Sequence, residues 1–230
     1  MAVPAAGTGT RMGGRRKPFI PLAGQPLLRH ALAPFLAHPW VRSVVVALHP
    51  EDHRAPPVWL RELDPRIRIV SGGATRVHSV STAVDALFPE VSWVMVHDGA
   101  RPLVTDTIVE RCARAAYSGR AALAGWPVTD TIKEVGRRRR VRSTPERSRL
   151  WAAQTPQVFP RRELAAACSR ALEAGFPATD DAEIFARYAG AVDVVEGAPW
   201  NLKVTQPEDL AVAEALLRER GRAEPPQGRR

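Results

Sequence analysis

Cysteine and lysine are both scarce in this chain. The two cysteines among 230 residues, Cys112 and Cys168, lie far apart and fit no C-x-x-C spacing. That excludes a disulfide scaffold and a paired-thiolate metal or redox centre, and leaves both as reduced packing residues. Only three of the 33 basic residues are lysines, namely Lys17, Lys133 and Lys203. Where arginine is the default cation, Lys17 and Lys203 become candidates for phosphate contacts that need a compact ammonium instead of a planar fork. No apolar run approaches the ~20 residues needed to span a bilayer, and no basic leader precedes an apolar segment. A cytoplasmic protein without a membrane partner is therefore expected. Two familiar phosphate-loop patterns are missing as well: G-x-G-x-x-G would need glycine where Met12 stands, and no G-x-x-x-x-G-K-[ST] can be drawn.

A composition of 45% hydrophobic and 25% charged residues supports a full core, and one α/β domain over residues 1–220 is the economical expectation. The formal net charge of +9 raises the question of nucleic acid, so its placement matters. Much of it is peripheral, in Arg137 to Arg140 with Arg142, and in a polar tail over 221–230 that reads as disordered. No aromatic residues interleave with the arginine run as stacking platforms, so it reads as a solvated turn, and no nucleic-acid partner is expected.

Residues 2–17 join a short apolar strand to a glycine-rich loop and end in positive charge. In Ala5-Ala6-Gly7-Thr8-Gly9 the glycines let backbone N–H groups approach an anion, and Arg11 and Lys17 add mobile cations. The anion expected is a nucleotide triphosphate; the plain alternative is a flexible βα turn with a chance basic cluster. A helix over 27–37 and a nearly continuous apolar run over 43–48 begin a parallel βαβ unit. No Asp or Glu closes that second strand, which argues against a dinucleotide. His49 and His53 flank Pro50 in a surface loop and receive no role.

A third strand over 66–70 leads into a second glycine turn, 71–76, and a helix through 87. Two such turns beyond strand ends can share one crevice. Ser79 either points its hydroxyl into that crevice or faces solvent. The fourth apolar strand ends in Asp98, followed by Gly99, Arg101 and Pro102. A carboxylate there is well placed for Mg²⁺, which shares oxygen ligands with substrate phosphates, and Arg101 can grip another phosphate. The chain then reads as a helix over 105–119, a strand over 121–127, and a projecting hairpin from strands over 129–135 and 140–144. A two-stranded ribbon is marginal alone in water, so the arm over 129–150 is expected to pack on another chain as a homodimer. Residues 151–159 return to the core, helices follow over 161–174 and 179–189, a strand over 193–196, a short strand over 201–205 carrying Lys203, and a last helix from Pro207.

Together, Pro4-Ala5-Ala6-Gly7-x-Gly9-x-Arg11-Met12, Lys17, Gly72-Gly73-x-x-Arg76-x-x-Ser79-Val80, His97-Asp98-x-Ala100-Arg101-Pro102, Asp130-Thr131-x-Lys133, Thr155-Pro156-Gln157, Thr179-Asp180 and Asn201-x-Lys203-Val204-Thr205 span nearly the whole chain. The set resembles the 2-C-methyl-D-erythritol 4-phosphate cytidylyltransferases of non-mevalonate isoprenoid synthesis. That resemblance implies a Rossmann-like nucleotidyltransferase with a mostly parallel central sheet and a projecting β-arm. It also implies CTP and a polyol phosphate as substrates, and a divalent cation such as Mg²⁺. By the same resemblance, Arg11 and Lys17 stabilise the transition state, Ala5 to Gly9 with Gly73 and Ser79 hold the nucleotide, and Asp98 holds the metal. Arg101, Thr179 and Lys203 position substrate, and Thr131 and Arg147 reach across the dimer. Ala74 departs from the aspartate often found beside the cytidine, and Trp200 from the acidic residue that often precedes the asparagine. The neighbouring readings are a cytidylyltransferase for another polyol phosphate such as ribitol 5-phosphate, and, from net charge alone, a basic RNA-binding protein with a vestigial nucleotide site.

Overall fold

The computed structural model describes residues 1–9, 12–14 and 16–223. The chain enters through β1 (Ala2–Ala5), passes the glycine-rich loop, and makes a small hairpin of β2 (Pro21–Leu22) and β3 (Gln25–Pro26) before α1 (Leu27–Ala37). Next come β4 (Val44–Leu48), two short helices, α2 (Pro50–Arg54) and α3 (Val58–Arg61), then β5 (Ile67–Ser71) and α4 (Arg76–Asp85). His53 thus lies in a helical turn instead of a loop, and His49 caps it, its Nδ1 accepting from the Glu51 N–H at 3.3 Å. The middle of the chain supplies β6 (Trp93–Val96), α5 (Asp106–Tyr117), β7 (Ala122–Pro127), and the arm strands β8 (Glu134–Val135) and β9 (Val141–Ser143). It closes with β10 (Trp151–Pro160), α6 (Arg161–Glu173), α7 (Asp181–Tyr188), β11 (Asp193–Glu196) and α8 (Pro207–Ala223).

Seven strands form one sheet in the order β11-β7-β10-β6-β1-β4-β5. The α/β reading with a mostly parallel sheet holds: β10 alone runs antiparallel to its neighbours β6 and β7. The uniform apolar run of β4 follows from helices on both faces. Val44, Val46 and Leu48 pack with Leu28, Leu32, Phe35, Ile108 and Cys112 of α1 and α5, while Val45 and Ala47 pack with Val80, Val84, Leu164, Cys168 and Phe185 of α4, α6 and α7. The two cysteines are thus on opposite faces, and burial pushes each thiol up to about 12. Among the described residues no helix is long and apolar enough to cross a membrane.

A third, smaller cluster joins Met12, Ile20, Leu22, Leu27, Leu103, Val204 and Ala213. It ties the glycine-rich loop to the segment carrying Lys203 and to α8, so two distant parts of the chain meet at one end of the sheet. Two expectations change here. Residues 201–205 form no strand; they are an extended segment whose Val204 N–H bonds the Ala100 carbonyl at 2.8 Å. The last helix runs to Ala223, past the expected boundary at 220, and the rest of the tail lies outside the described residues.

The two glycine turns touch. A Cβ on Gly72 would sit 2.4 Å from the Cβ of Ala6 and 3.1 Å from the Leu48 carbonyl oxygen, so only glycine lets the turns approach this closely. Gly72→Ala should lower stability by about 1–3 kcal/mol in urea unfolding, as overpacking does. Unchanged stability would mean that the two turns are not in contact.

Candidate active site

Beyond the carboxyl ends of β1, β5 and β6 lies a cleft of about 430 Å³, lined by Ala5 to Gly9, Lys17, Gly73 to Arg76, Ser79, Asp98 to Ala100 and Lys203. This is where an open parallel sheet offers its ligand crevice. In the first turn Gly9 takes φ 68°, and its carbonyl accepts from the Met12 and Gly14 N–H groups at 2.8 and 3.2 Å. Lys17 opens a 3-10 turn, Lys17–Phe19, and its Nζ is 3.5 Å from the Val204 carbonyl. In the second turn Ser79 does point inward. Its buried hydroxyl donates to the Thr75 carbonyl at 3.1 Å and accepts from the Gly73 N–H at 3.2 Å, bracing the turn.

The floor of the cleft is a knot of charge. β6 ends at Val96, so Asp98 sits just past the strand and not in it. Its Oδ1 is 2.5 Å from Arg76 Nη1, and its Oδ2 is 2.8 Å from Lys203 Nζ and 3.8 Å from Arg101 Nε. Arg76 turns its other nitrogen, Nη2, to Oδ2 of the fully buried Asp181 at 2.7 Å. Burial alone would raise the Asp98 carboxyl, but Arg76 and Lys203 outweigh it and hold it well below the ordinary carboxylate range. In Asp181 burial prevails over the attraction of Arg76, and the carboxyl is shifted upward.

A directed hydrogen-bond chain fixes the backbone around Asp98. Its N–H donates to Thr155 Oγ1 at 3.1 Å, the Thr155 hydroxyl lies 2.9 Å from His97 Nδ1, and His97 Nε2 lies 3.2 Å from the Arg101 carbonyl. A carbonyl only accepts, so Nε2 carries the proton and Nδ1 accepts from Thr155. Burial lowers the His97 pKa to about 4, which keeps the ring in this neutral form.

The strand β10 supplies Thr155 and two buried glutamines. Its pairing with β7 shifts register between Ala153 and Gln157. Gln154 exchanges hydrogen bonds with Ala198 and accepts from Asn201 Nδ2 at 3.1 Å, which secures the approach to Lys203. Arg101 completes that brace: its Nη1 and Nη2 donate to the carbonyls of Asn201 and Ala153 at 2.6 and 3.2 Å.

The cleft therefore gathers Ala5, Ala6, Gly7, Thr8, Gly9, Lys17, Gly73, Ser79, Asp98 and Lys203, while Arg101 stands behind Asp98. Thr179 is exposed and does not line the cleft; it lies two residues before Asp181, and its N–H and hydroxyl both bond Glu183 Oε2. Thr131 and Arg147 lie on the exposed arm, where Arg147 Nη1 donates to the Thr129 carbonyl at 2.7 Å. Arg11 lies outside the described residues. Of the two departures, Ala74 lines the cleft, and Trp200 carries the guanidinium of Arg220 over its ring at 5.4 Å. Sequence alone assigns no site role to Arg76, Gln154 or Gln157 and reads Asp181 only as part of a helix-cap signal; the polar residues between Ala153 and Val158 of β10 are the available signal for the glutamines.

A mostly parallel sheet whose strand ends gather a glycine loop, a second glycine turn and one ion-paired carboxylate defines a Rossmann-like nucleotidyltransferase. More particularly, the family model IspD, 2-C-methyl-D-erythritol 4-phosphate cytidylyltransferase, matches residues 1–219, and the chain belongs to that family. The 2-C-methyl-D-erythritol 4-phosphate cytidylyltransferase of Symbiobacterium thermophilum is 42% identical over 221 residues, covering 96% of this chain and 93% of the relative. That of Prochlorococcus marinus is 39% identical over 218 residues, covering 94% and 97%. Among solved structures, 4-diphosphocytidyl-2C-methyl-D-erythritol synthase from Anaerococcus prevotii superposes with a TM-score of 0.84 at 28% identity, covering 94% of each chain. The Thermus thermophilus cytidylyltransferase superposes with a TM-score of 0.79 at 34% identity, covering 94% of this chain and 98% of that one.

Arg76→Met leaves Asp181 buried without its counter-charge and should lower stability by about 3–5 kcal/mol in urea unfolding. Adding Asp181→Leu, which exchanges the stranded charge for apolar packing, should recover most of the loss. A single variant as stable as wild type would show that the pair is not a structural tie.

Proposed function

We propose that the chain transfers CMP from CTP to 2-C-methyl-D-erythritol 4-phosphate, giving 4-diphosphocytidyl-2-C-methyl-D-erythritol and pyrophosphate in isoprenoid precursor synthesis. The observation that carries this is the convergence of two glycine turns, Lys17 and Lys203 on a cleft whose only lining carboxylate among the described residues is Asp98. Both substrates are soluble anions, which suits a cytoplasmic enzyme.

No general base is required. The second pKa of a phosphate monoester is about 6, so the acceptor is already largely dianionic at neutral pH. One of its oxygens attacks the α-phosphorus of CTP, and the bond from that phosphorus to the bridging oxygen breaks, with pyrophosphate taking the electron pair. The protein's task is to bring two anions together in line and stabilise charge at the α-phosphate. Backbone N–H groups of residues 7–9 cradle the triphosphate, Lys17 and Lys203 bring cations to it, and Arg11 is the further cation proposed for the transition state. Gly73 and Ser79 shape the pocket for cytosine. Lys203, whose segment Arg101 holds, also serves the acceptor side, as does Thr179.

The donor set fits a magnesium ion. No group of three or more His, Cys, Asp or Glu side chains is placed to hold a metal among the described residues. One ionised carboxylate facing a phosphate site is the sparse set Mg²⁺ uses when substrate oxygens complete its shell. Asp98 would hold the ion, which when bound supplies charge neutralisation at the phosphates.

The arm completes the reading as a homodimer element. Ile132, Val135 and Val141 are exposed along it. A two-stranded ribbon is marginal alone in water, so this one needs a partner surface. Thr131 and Arg147 would then serve the neighbour's cleft.

Three measurements test this. Pyrophosphate release from CTP should be fast with methylerythritol phosphate and slow with ribitol 5-phosphate; the reverse preference would overturn the substrate assignment. Lys17→Ala should lower kcat by roughly 10² with the fold intact, and near-normal turnover would remove it from the chemistry. Mixing Lys17→Ala with Arg147→Ala under subunit exchange should restore activity towards about one working site per heterodimer. No recovery despite exchange would place Arg147 outside any shared site.

A further inference from the structure

Gln157 sits inside β10 with 1% of its surface exposed, and the chemistry described so far leaves it unused. Its amide is fully directed. Nε2 donates to Asp180 Oδ2 at 3.0 Å and to the Gln154 carbonyl at 3.3 Å, and Oε1 accepts from the Ala182 N–H at 2.9 Å. The opposite orientation would set an amide oxygen against a carboxylate, so the assignment is fixed by its partners. Through these bonds one side chain grips α7 on both sides of its first residue.

What Gln157 grips is the cap that carries Thr179. Asp180 Oδ1 accepts from the Glu183 N–H at 2.8 Å, and Glu183 Oε2 reaches back to accept from the Thr179 N–H at 2.8 Å and the Thr179 hydroxyl at 2.9 Å. This reciprocal cap spends the only hydroxyl proton of Thr179 on Glu183. Towards the solvent side, Thr179 Oγ1 therefore offers lone pairs alone. It is polarised to receive a hydrogen from a hydroxyl group and has none left to give to a phosphate oxygen.

We propose that Gln157 is a positioning residue for the second substrate: by locking the start of α7 to the sheet, it holds Thr179 as a hydrogen-bond acceptor for a hydroxyl of the polyol phosphate. This rests on the cytidylyltransferase reading above. The glycine turns over residues 5–9 and 73–76 and Lys17, which face the nucleotide, make none of these bonds: the Gln157 amide reaches only Asp180, Ala182 and the Gln154 carbonyl. Loosening Gln157 should then be felt by one substrate and not by the other.

The test is a split between the two substrates. Gln157→Met keeps length and apolar fit but loses the charge-assisted bond to Asp180. It should raise KM for methylerythritol phosphate roughly tenfold while KM for CTP stays within about twofold. The dissociation constant for CTP, read from tryptophan fluorescence without turnover, should match wild type, which also reports that the variant is folded. Asp180→Asn breaks the same link from the helix side with less risk to the core, and should shift the same KM in the same direction. A rise in both KM values together, or in neither, would overturn the proposal. Wild-type protein that makes no pyrophosphate from the two substrates would instead overturn the parent reading, and the positioning role with it.

Discussion

The guanidinium of Arg76 binds Asp98 with one nitrogen and the buried Asp181 with the other, and the architecture of the cleft depends on that bridge. Asp98 comes from the turn after β6, Asp181 from the first turn of α7, and Arg76 from the first residue of α4. One side chain thus ties three elements together at that end of the sheet. Taking two carboxylates out of water is costly, and it is tolerated because cations from separate segments converge on them. The result is a floor whose negative charge is already balanced, beneath a wall that adds Lys17 and backbone N–H groups. Such a surface is organised for a highly anionic ligand before the ligand arrives, which is how electrostatic catalysis avoids reorganisation during reaction.

The single antiparallel strand explains how the rest of the wall stays in place. Inserted between parallel neighbours, β10 runs its polar residues past the strand ends where ligands bind. Gln154 serves the Lys203 segment, Thr155 serves Asp98, and Gln157 serves the cap of α7. Each is buried and each finds partners, so these groups specify geometry instead of costing desolvation energy. The small apolar cluster around Met12, Leu27 and Val204 does the complementary work from the other side, fixing the loop that leads to Lys17.

Much of this was legible in the sequence, for identifiable reasons. Continuous apolar runs such as 44–48 mark strands buried on both faces, and the spacing over 27–37 marks α1. Asp98 stands out as a carboxylate at a strand end, and Lys17 and Lys203 by their rarity among arginines. Residues 201–205 look like a strand because Leu202 and Val204 alternate with polar residues, yet their backbone is taken by Ala100 and Arg101 and not by a neighbouring strand. Arg76 and Asp181 lie 105 residues apart, and no local pattern couples them. The glutamines of β10 carry a visible anomaly, polarity within a buried strand, but their partners are set by tertiary packing alone.

The central claim is that catalysis here is positioning and charge stabilisation, with one substrate phosphate attacking the other directly. The most direct measurement is the stereochemical outcome at the α-phosphorus, using CTP made chiral there by isotopic or sulfur substitution. A single in-line displacement predicts inversion. Retention would mean two displacements through a covalent protein intermediate, and would contradict the account.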